Sequence, residues 1–415
     1  MITKKFLRRY ILITSLVIFS TNGCYKLENP LEELISLRKD KILEKGGLIA
    51  ACSYADFLSM KQYKANLHCH STHSDGVDSP EQLSNWYYNH GYNVLCISDH
   101  DAFGDQDGGR HSSKMFQNDT IIHDWDGDGF IHKEFLYSSG KEAYVRDYGK
   151  PAPPWVVEKW NLEKPGEMIF LNGVESSFGH PHMNVINHPE GRIGRPRSSY
   201  SFINTVQASG GIVFLNHMPY WNGDAYRVYN NKYMKFLNGL EVINGAQARD
   251  YRWGFKKVGS DIADGLWTGC LDAGMEIWGF GNDDAHNILE DKDFASAGSA
   301  WNMIWAKELT RAGIMDAIKA GAFYATCGVI VDSMKITADS ITVVSKNAKH
   351  IKVIGSGGKL LKSVDDSRLV YVLRGDEIWI RIILWNDSPC YPNDKIKILQ
   401  MAWLQPIFIE KLLNN

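Results

Sequence analysis

Residues 66–76, with the sequence N-L-H-C-H-S-T-H-S-D-G, carry the motif from which the fold is predicted. The motif opens with an H-x-H pair, His68 and His70, at the end of a predicted strand at 64–69. Side chains two residues apart in a strand point to the same face, so this pair can share one metal ion. The turn that follows carries Asp75, an oxygen ligand. Core or surface histidines would explain H-x-H equally well, so a metal site depends on the rest of the chain.

Other predicted strands also end in histidine or carboxylate side chains. A Ser-capped helix at 79–90, ended by Gly91, leads into an apolar strand at 94–98, and strand-helix-strand order predicts a β/α repeat. The polar residues at or just after predicted strand ends are Asp99, His100, Glu175, His182, His217, Asp284 and His286. Each one alone is more often structural than a ligand. Together they exceed the roughly four ligands of one tetrahedral zinc ion, so they favour two or three ions that share a bridging carboxylate.

Composition and charge limit the class of protein. The chain has 415 residues, of which 44% are hydrophobic and 22% are charged, as is usual for a soluble globular protein. The formal net charge of -3 gives no basic surface for a nucleic-acid backbone, so no nucleic acid is expected as a partner.

The first 24 residues resemble a bacterial lipoprotein signal peptide. Basic residues between positions 4 and 9 precede an apolar run at 10–19, which is too short to span a bilayer comfortably. Small and polar residues then lead to Cys24, the predicted lipidated residue. Plain secretion and an uncleaved anchor are the alternatives. All three place the protein in the periplasm or on the cell surface of a bacterial envelope, with the membrane reached through an anchor only.

The other cysteines show no disulfide framework. They are scattered through the sequence, without a C-x-x-C pair, and several lie in apolar runs, which favours buried thiols. They are Cys52, Cys69, Cys96, Cys270, Cys327 and Cys390.

The sequence divides into four predicted parts. A tether and packing helix at 25–63 follow the signal peptide, and a β/α domain at 64–328 carries an insertion at 104–166. Short alternating strands separated by Gly and Asp turns predict a small antiparallel β domain at 329–415.

The insertion contains a candidate calcium loop. Asp124, Asp126 and Asp128 occupy loop positions 1, 3 and 5, and Gly129 occupies position 6. Position 12 is Phe135 where the EF-hand pattern has Glu, so a solvated acidic turn is the alternative.

The ordered motifs are similar to those of the PHP family, the polymerase and histidinol phosphatase domain. They are H-x-H with S-D-G, then I-S-D-H, G-V-E, L-N-H-M-P and N-D-D-A-H. Residues 317–326 also resemble a segment of a secreted, carbaryl-hydrolase-like branch. The resemblance covers about residues 64–328 and implies a distorted (β/α)7 barrel with a trinuclear Zn, Mn or Fe site.

The resemblance also implies which residues bind the metals. It places the first ion on His68, His70, Glu175 and Asp284, the second on Glu175, His182 and His217, and the third on Asp75, His100 and His286.

Several of these positions remain open at the level of sequence. His180 could replace His182, and His73 could compete with Asp75. Asp283 adjoins Asp284, but only Asp284 has the D-x-H spacing. Asp99 and Glu241 are interpreted as supporting or structural carboxylates.

The implied reaction is in-line attack of a metal-bridging hydroxide on a small phosphomonoester or phosphodiester. Glu175, Asp284 and His286 are the candidate catalytic residues, and Arg249 or Arg252 could bind the phosphate. No G-x-S-x-G or P-loop motif competes with this prediction. The alternatives are a carbamate or aryl-ester hydrolase on the same metals and a non-catalytic glycan-binding lipoprotein. The sequence predicts no oligomeric state.

Overall fold

The structure is a computed structural model. It describes residues 57–71, 74, 76–100, 114–117, 120–123, 158–159, 162–176, 182–187, 199–217, 236–246, 259–288, 297–337, 339–390 and 398–409. The signal peptide with Cys24, the helix predicted near the N-terminus and the candidate calcium loop lie outside these residues.

Strands predominate over helices in the described residues. The helices are α1 (Pro80–Asn89), α2 (Ser199–Ala208), α3 (Gly259–Asp272) and α4 (Arg311–Lys319), with short 3-10 helices at Phe57–Ser59 and Ser356–Gly358. The strands before α4 are β1 (Lys61–Asn66), β2 (Val94–Leu95), β3 (Lys114–Gln117), β4 (Thr120–His123), β5 (Glu158–Lys159), β6 (Ile169–Phe170), β7 (Gly173–Ser176), β8 (Met183–Ile186), β9 (Ile212–Leu215), β10 (Gly239–Asn244), β11 (Trp278–Asn282) and β12 (Trp301–Ala306). The strands after it are β13 (Phe323–Thr326), β14 (Val331–Ile336), β15 (Ser340–Ser345), β16 (His350–Gly355), β17 (Lys359–Val364), β18 (Arg368–Val372), β19 (Trp379–Pro389), β20 (Leu399–Leu404) and β21 (Ile407–Phe408).

Local sequence determines where α1 and α4 begin and end. Ser79 caps α1 through a capping box with Gln82, with a proline in its first turn, and Gly91 follows the helix at a φ of 75°. Thr310 accepts a hydrogen bond from the backbone N–H of Gly313 at the start of α4. The Ser-capped helix predicted at 79–90 is thus confirmed as α1.

Two mixed sheets hold most of the described strands. The larger has ten strands in the order β17-β16-β19-β20-β13-β12-β1-β2-β6, with β21 beside β19. The second has the order β11-β10-β9-β8-β7, and two three-stranded sheets are β14-β15-β18 and β3-β4-β5. The pairs β1-β2, β2-β6, β9-β10 and β10-β11 are parallel, whereas β7-β8 and β8-β9 are antiparallel.

The α/β class is confirmed, but the described strands form no closed sheet. β2 and β6 are only two residues long. The two large sheets approach each other through isolated parallel bridges, Cys69 with Ala285 and His100 with Glu175. These bridges lie where the strands give way to the predicted metal ligands, so regular pairing stops at the site.

The C-terminal strands continue the larger sheet. β20 pairs with β13, and β19 pairs with β20, so the predicted β region at 329–415 extends a sheet that begins in the predicted β/α domain. Arg381 of β19 is fully buried and forms an ion pair with Asp264 of α3 at 2.6 Å. Its guanidinium lies 4.2 Å from the Trp267 ring centroid. These contacts attach the C-terminal strands to α3, while the predicted domain boundary stays a prediction.

The prediction of unpaired thiols is wrong for two cysteines. Cys327 and Cys390 form a disulfide across 63 residues of sequence, with their Cα atoms 5.9 Å apart. They follow β13 and β19, which flank β20 in the sheet, so only the tertiary pairing brings them together. Cys69, Cys96 and Cys270 are free and buried, as predicted.

Replacing Cys327 by serine is expected to lower the free energy of unfolding by about 4 kcal/mol, the chain-entropy value for a closed loop of this length. Urea unfolding of the oxidised protein, followed by circular dichroism, measures the change. Dithiothreitol should lower the unfolding midpoint of the wild type and leave the Cys327→Ser variant unaffected. An unfolding midpoint that is the same in both proteins without reductant would show that the disulfide contributes nothing to stability.

None of the helices in the described residues is long and apolar enough to cross a membrane.

Candidate metal centre

The predicted ligands that the structure describes lie together at one end of the two large sheets. His68 and His70 follow β1, His100 follows β2, and Glu175 belongs to β7. The remaining members are His182 before β8, His217 after β9, and Asp284 and His286 after β11. Strand ends therefore deliver the side chains, as the sequence predicted.

Two of these residues have unusual backbone conformations. Asp284 and His217 have positive φ angles of 53° and 33°. Such conformations cost energy in residues other than glycine and concentrate at functional sites. The backbone at both strand ends is thus bent in a way that ordinary packing does not require.

Four predicted ligand atoms lie close together around His68 and His70. His68 Nε2 lies 3.2 Å from His70 Nε2, 3.1 Å from Asp284 Oδ1 and 3.4 Å from Glu175 Oε2. His70 Nε2 lies 3.0 Å from the same Asp284 oxygen and 3.3 Å from the same Glu175 oxygen. Ligand atoms about 2.0–2.1 Å from one tetrahedral zinc ion are about 3.3 Å apart. The five distances match that arrangement, so these residues fit the first predicted ion.

A buried carboxylate oxygen supports the same interpretation. Glu175 Oε2 is inaccessible to solvent and makes no hydrogen bond within the residues that the structure describes, although ring nitrogens of His68, His70 and His100 lie 3.2–3.4 Å from it. A buried carboxylate oxygen without a donor is costly, and a bound cation would satisfy it.

The second oxygen of Glu175 faces two other histidines. Glu175 Oε1 lies 2.7 Å from His217 Nε2 and 3.0 Å from His182 Nδ1, and the side chain of Asn216 donates a hydrogen bond to it at 2.8 Å. Glu175 therefore stands between two groups of histidines, as a carboxylate that bridges two ions must.

The predicted third group is placed only in part. His286 Nδ1 lies 3.9 Å from Asp284 Oδ1, and ligand atoms of these two residues and His70 lie within 4.8 Å of one another. His100 lies closer to the Glu175 side, with Nδ1 3.2 Å from Glu175 Oε2. Asp75, the third member, lies outside the described residues, as does its alternative His73.

Histidines determine the charge state of Glu175. Burial raises the pKa of its carboxyl, but the surrounding histidines, led by His100 and His68, outweigh burial and hold that pKa well below its usual range. Glu175 is therefore a carboxylate over the whole physiological range, which is the form that binds a cation.

Glu241 supports the site from one side. Its Oε1 lies 2.8 Å from His68 Nδ1 and accepts from Asn282 at 2.9 Å. Its Oε2 accepts from the backbone N–H of His217 at 2.7 Å and from Asn244 at 2.8 Å. The carboxylate fixes the orientation of one predicted ligand and the backbone of another, which agrees with the supporting role predicted for it.

Two more buried carboxylates hold the loops that carry ligands. Asp99 accepts hydrogen bonds from the backbone and side chain of Ser71, just after His70. Asp283 accepts from Tyr87 and from the backbone N–H of Gly298. Burial raises the pKa of Asp283 to about 7.

Several supporting residues were not identified from the sequence. Ser74, Asn216, Asn244 and Asn282 contact the ligands or their carboxylate partners. Their signal is a serine or asparagine next to a ligand motif, but such residues are equally typical of turns. His180, Arg249 and Arg252 lie outside the described residues.

Sequence comparisons give limited matches. No family model matches the chain. A segment of 74 residues, 17% of this chain, is 40% identical to the 5'-3' exoribonuclease of Haemophilus influenzae and covers 27% of that protein. The match thus spans about a quarter of the length of this relative.

Solved structures show a resemblance over longer ranges. One is a two-domain protein from Bacteroides vulgatus that contains a predicted PHP-like metal-dependent phosphoesterase, 12% identical at a TM-score of 0.40 over 85% of this chain and 98% of that one. Another, from Bifidobacterium adolescentis, is described as a proposed metal-dependent phosphoesterase and is 14% identical at a TM-score of 0.28 over 54% of this chain and 87% of that one. The first description names a PHP-like protein, and neither concerns the carbaryl-hydrolase-like branch. Both TM-scores are low, so neither structure shows what this protein does.

Proposed function

We propose that the chain is a PHP-type metal-dependent phosphoesterase that hydrolyses a small phosphomonoester or phosphodiester. The arrangement of His68, His70, Glu175 and Asp284 at the distances of a tetrahedral ligand shell carries this proposal. Divalent Zn, Mn or Fe ions held there would lower the pKa of a coordinated water toward neutrality and neutralise anionic phosphoryl oxygens.

The predicted ligands differ in their exposure to solvent. His68 and His70 are fully buried. The side chains of His182 and His286 are 31% and 27% exposed, respectively. A substrate therefore approaches on the side of His182 and His286, while the buried pair serves only to bind metal. Glu175, with one oxygen beside His68 and His70 and the other beside His182 and His217, would hold ions between these two pairs of histidines.

His286 lies at the accessible edge of the centre, next to the buried Asp284. Asn244 donates to Asp284 Oδ2 at 3.2 Å, which leaves Oδ1 directed at the histidines. The backbone carbonyl of Asp284 lies 2.9 Å from His286 Nδ1 and accepts its proton in the tautomer that leaves His286 Nε2 available. We assign His286 to metal binding next to the substrate.

We also propose that the protein is exported and held on the bacterial envelope through Cys24, acting on a small phosphorylated substrate there. The Cys327–Cys390 disulfide supports export, because disulfides persist in oxidising compartments. Mass spectrometry of the protein from its native membrane fraction tests the lipid on Cys24. An unmodified, intact N-terminus would contradict this part of the proposal.

Metal analysis joined to an enzyme assay tests the main proposal. We expect two or three transition-metal ions per chain, turnover of nitrophenyl phosphate or bis-nitrophenyl phosphate, and loss of both activity and metal after chelation. Restored activity after Zn or Mn is added back would link the two observations. A chain that binds no metal after reconstitution would refute the proposal and favour a non-catalytic binding protein.

The same assay separates the competing substrates. Faster turnover of nitrophenyl acetate than of either phosphate would favour the carbamate or aryl-ester hydrolase. Release of nucleotides from single-stranded RNA would contradict the expectation that no nucleic acid is a substrate.

A further inference from the structure

A buried serine lies between a predicted metal ligand and a carboxylate that touches no ion position. Ser74 Oγ is 3.2 Å from His70 Nδ1, and its hydroxyl also contacts Asp99 Oδ1. All three residues are fully buried. Asp99 belongs to none of the groups of His, Cys, Asp and Glu side chains that could hold an ion among the described residues.

The three side chains form a row of hydrogen bonds in which each donor can be identified. An ionised carboxylate only accepts hydrogen bonds, so the Ser74 hydroxyl must donate to Asp99. The Ser74 oxygen is then free to accept, and His70 Nδ1 is the donor that faces it.

The order of donors and acceptors in these hydrogen bonds decides which nitrogen of His70 can bind metal. A neutral imidazole with its proton on Nδ1 has its lone pair on Nε2. That nitrogen is the atom 3.0 Å from Asp284 Oδ1 and 3.3 Å from Glu175 Oε2. In His68 the proton is likewise held on Nδ1, because Nδ1 faces the Glu241 carboxylate directly.

We infer that Ser74 and Asp99 form a relay that keeps the proton of His70 on Nδ1 and so directs His70 Nε2 at the first metal position. The inference rests on the proposed metal centre. Ser74 is a positioning residue, since it acts on the ion through His70 alone. A partner of this kind also makes the ligand more basic, and loss of such a partner lowers metal affinity about 10- to 100-fold.

Asp99 also binds Ser71, and the experiment must distinguish this contact from the relay. Asp99 accepts from the Ser71 backbone N–H at 2.8 Å, which holds the turn after His70, and also from the Ser71 hydroxyl at 2.6 Å. Ser71 is as buried as Ser74 and donates to the same carboxylate. Ser71→Ala is therefore a matched control, because it removes one hydroxyl donor to Asp99 and keeps the hydroxyl between Asp99 and His70.

The test measures zinc affinity by competition with a chromophoric chelator, and cobalt absorption spectra, for the wild type, Ser74→Ala, Ser71→Ala and Ser74→Cys. Ser74→Ala should bind the tightest-bound ion roughly tenfold more weakly and shift the cobalt d-d bands. Ser71→Ala should retain the wild-type affinity and spectrum. Ser74→Cys, which keeps the size but offers only a weak hydrogen-bonding group, should resemble Ser74→Ala. Thermal unfolding of the metal-free proteins identifies any loss that is due to folding.

Each outcome decides between the relay and simple packing. Weaker binding in both Ser74 variants, with unchanged metal-free unfolding temperatures, supports the relay. Wild-type zinc affinity and cobalt spectrum in Ser74→Ala would overturn it while leaving the metal centre intact, and so would equal losses in Ser71→Ala and Ser74→Ala. A wild-type protein that binds no metal would instead overturn the proposed function on which the inference rests.

Discussion

Replacing Glu175 by glutamine is expected to lower the phosphoesterase rate by roughly 10³-fold, or about 4 kcal/mol of transition-state stabilisation, and to reduce the metal content. Glu175 Oε2 faces His68 and His70, and Oε1 faces His182 and His217. A glutamine of the same size carries no negative charge and must present its NH2 group to one of the two sets of imidazoles. It can therefore serve at most one of the two ion positions.

The measurement pairs metal analysis with the steady-state rate on the better nitrophenyl substrate. Glu163→Gln is the matched control, because Glu163 forms an ion pair with Arg311 and takes no part in the described metal groups. That control should keep the metal content and rate of the wild type. If Glu175→Gln retained both, Glu175 would not bridge the ions and the proposed centre would be wrong.

Local sequence was sufficient for the elements that deliver the ligands. β2 was predicted from the apolar run at 94–98 with its polar end, and α1 from its cap. Each of these signals lies within one stretch of the chain, so it does not depend on which strands become neighbours. For that reason the side chains at the strand ends could be proposed as candidate ligands from the sequence.

Pairing between distant strands could not be predicted in the same way. The antiparallel course of β7, β8 and β9 and the continuation of the sheet from β13 into β20 depend on register over long sequence separations. The Cys327–Cys390 disulfide follows from that pairing, so the spacing of the cysteines in the sequence could not predict it. The distorted (β/α)7 barrel that the resemblance implies is not closed among the described strands, where isolated bridges take the place of regular pairing at the site.

The supporting residues of the site were harder to predict than its ligands. The H-x-H spacing identifies His68 and His70 as candidate metal ligands. Ser74 and Asn244, by contrast, are ordinary turn or strand-end residues in the sequence. Only the distances to His70 and Glu241 show what they do. The role of a supporting residue follows from its hydrogen-bond partner, and that partner is known only from the folded structure.

Glutamine at position 241 is expected to damage both stability and metal binding, although it changes one atom. Each oxygen of Glu241 faces two groups that can donate: His68 Nδ1 and Asn282 at Oε1, and the His217 backbone N–H and Asn244 at Oε2. The NH2 group of a glutamine must therefore oppose two donors in either orientation. Because unsatisfied buried donors cost about 1–3 kcal/mol each, we expect the free energy of unfolding of the metal-free protein to fall by about 3 kcal/mol.

The effect on metal depends on the tautomer of His68. If the new NH2 group faces His68, it must donate to Nδ1, which moves the imidazole proton to Nε2, the atom 3.1 Å from Asp284 Oδ1. If it faces the other way, the backbone N–H of His217 loses its acceptor and that ligand shifts. Either orientation should weaken metal binding about 10- to 100-fold. Zinc competition and urea unfolding measure the two effects separately.

Glu377→Gln distinguishes a specific effect on the metal from a general cost of burying an amide. Glu377 is also a buried carboxylate surrounded by donors, accepting from Tyr371, Arg374 and Gly375, but it lies in the C-terminal strand region away from the ligands. Its variant should lose stability and keep the zinc affinity of the wild type. If both variants lost stability and neither lost zinc affinity, Glu241 would be a packing residue, and the orientation of His68 would not depend on it.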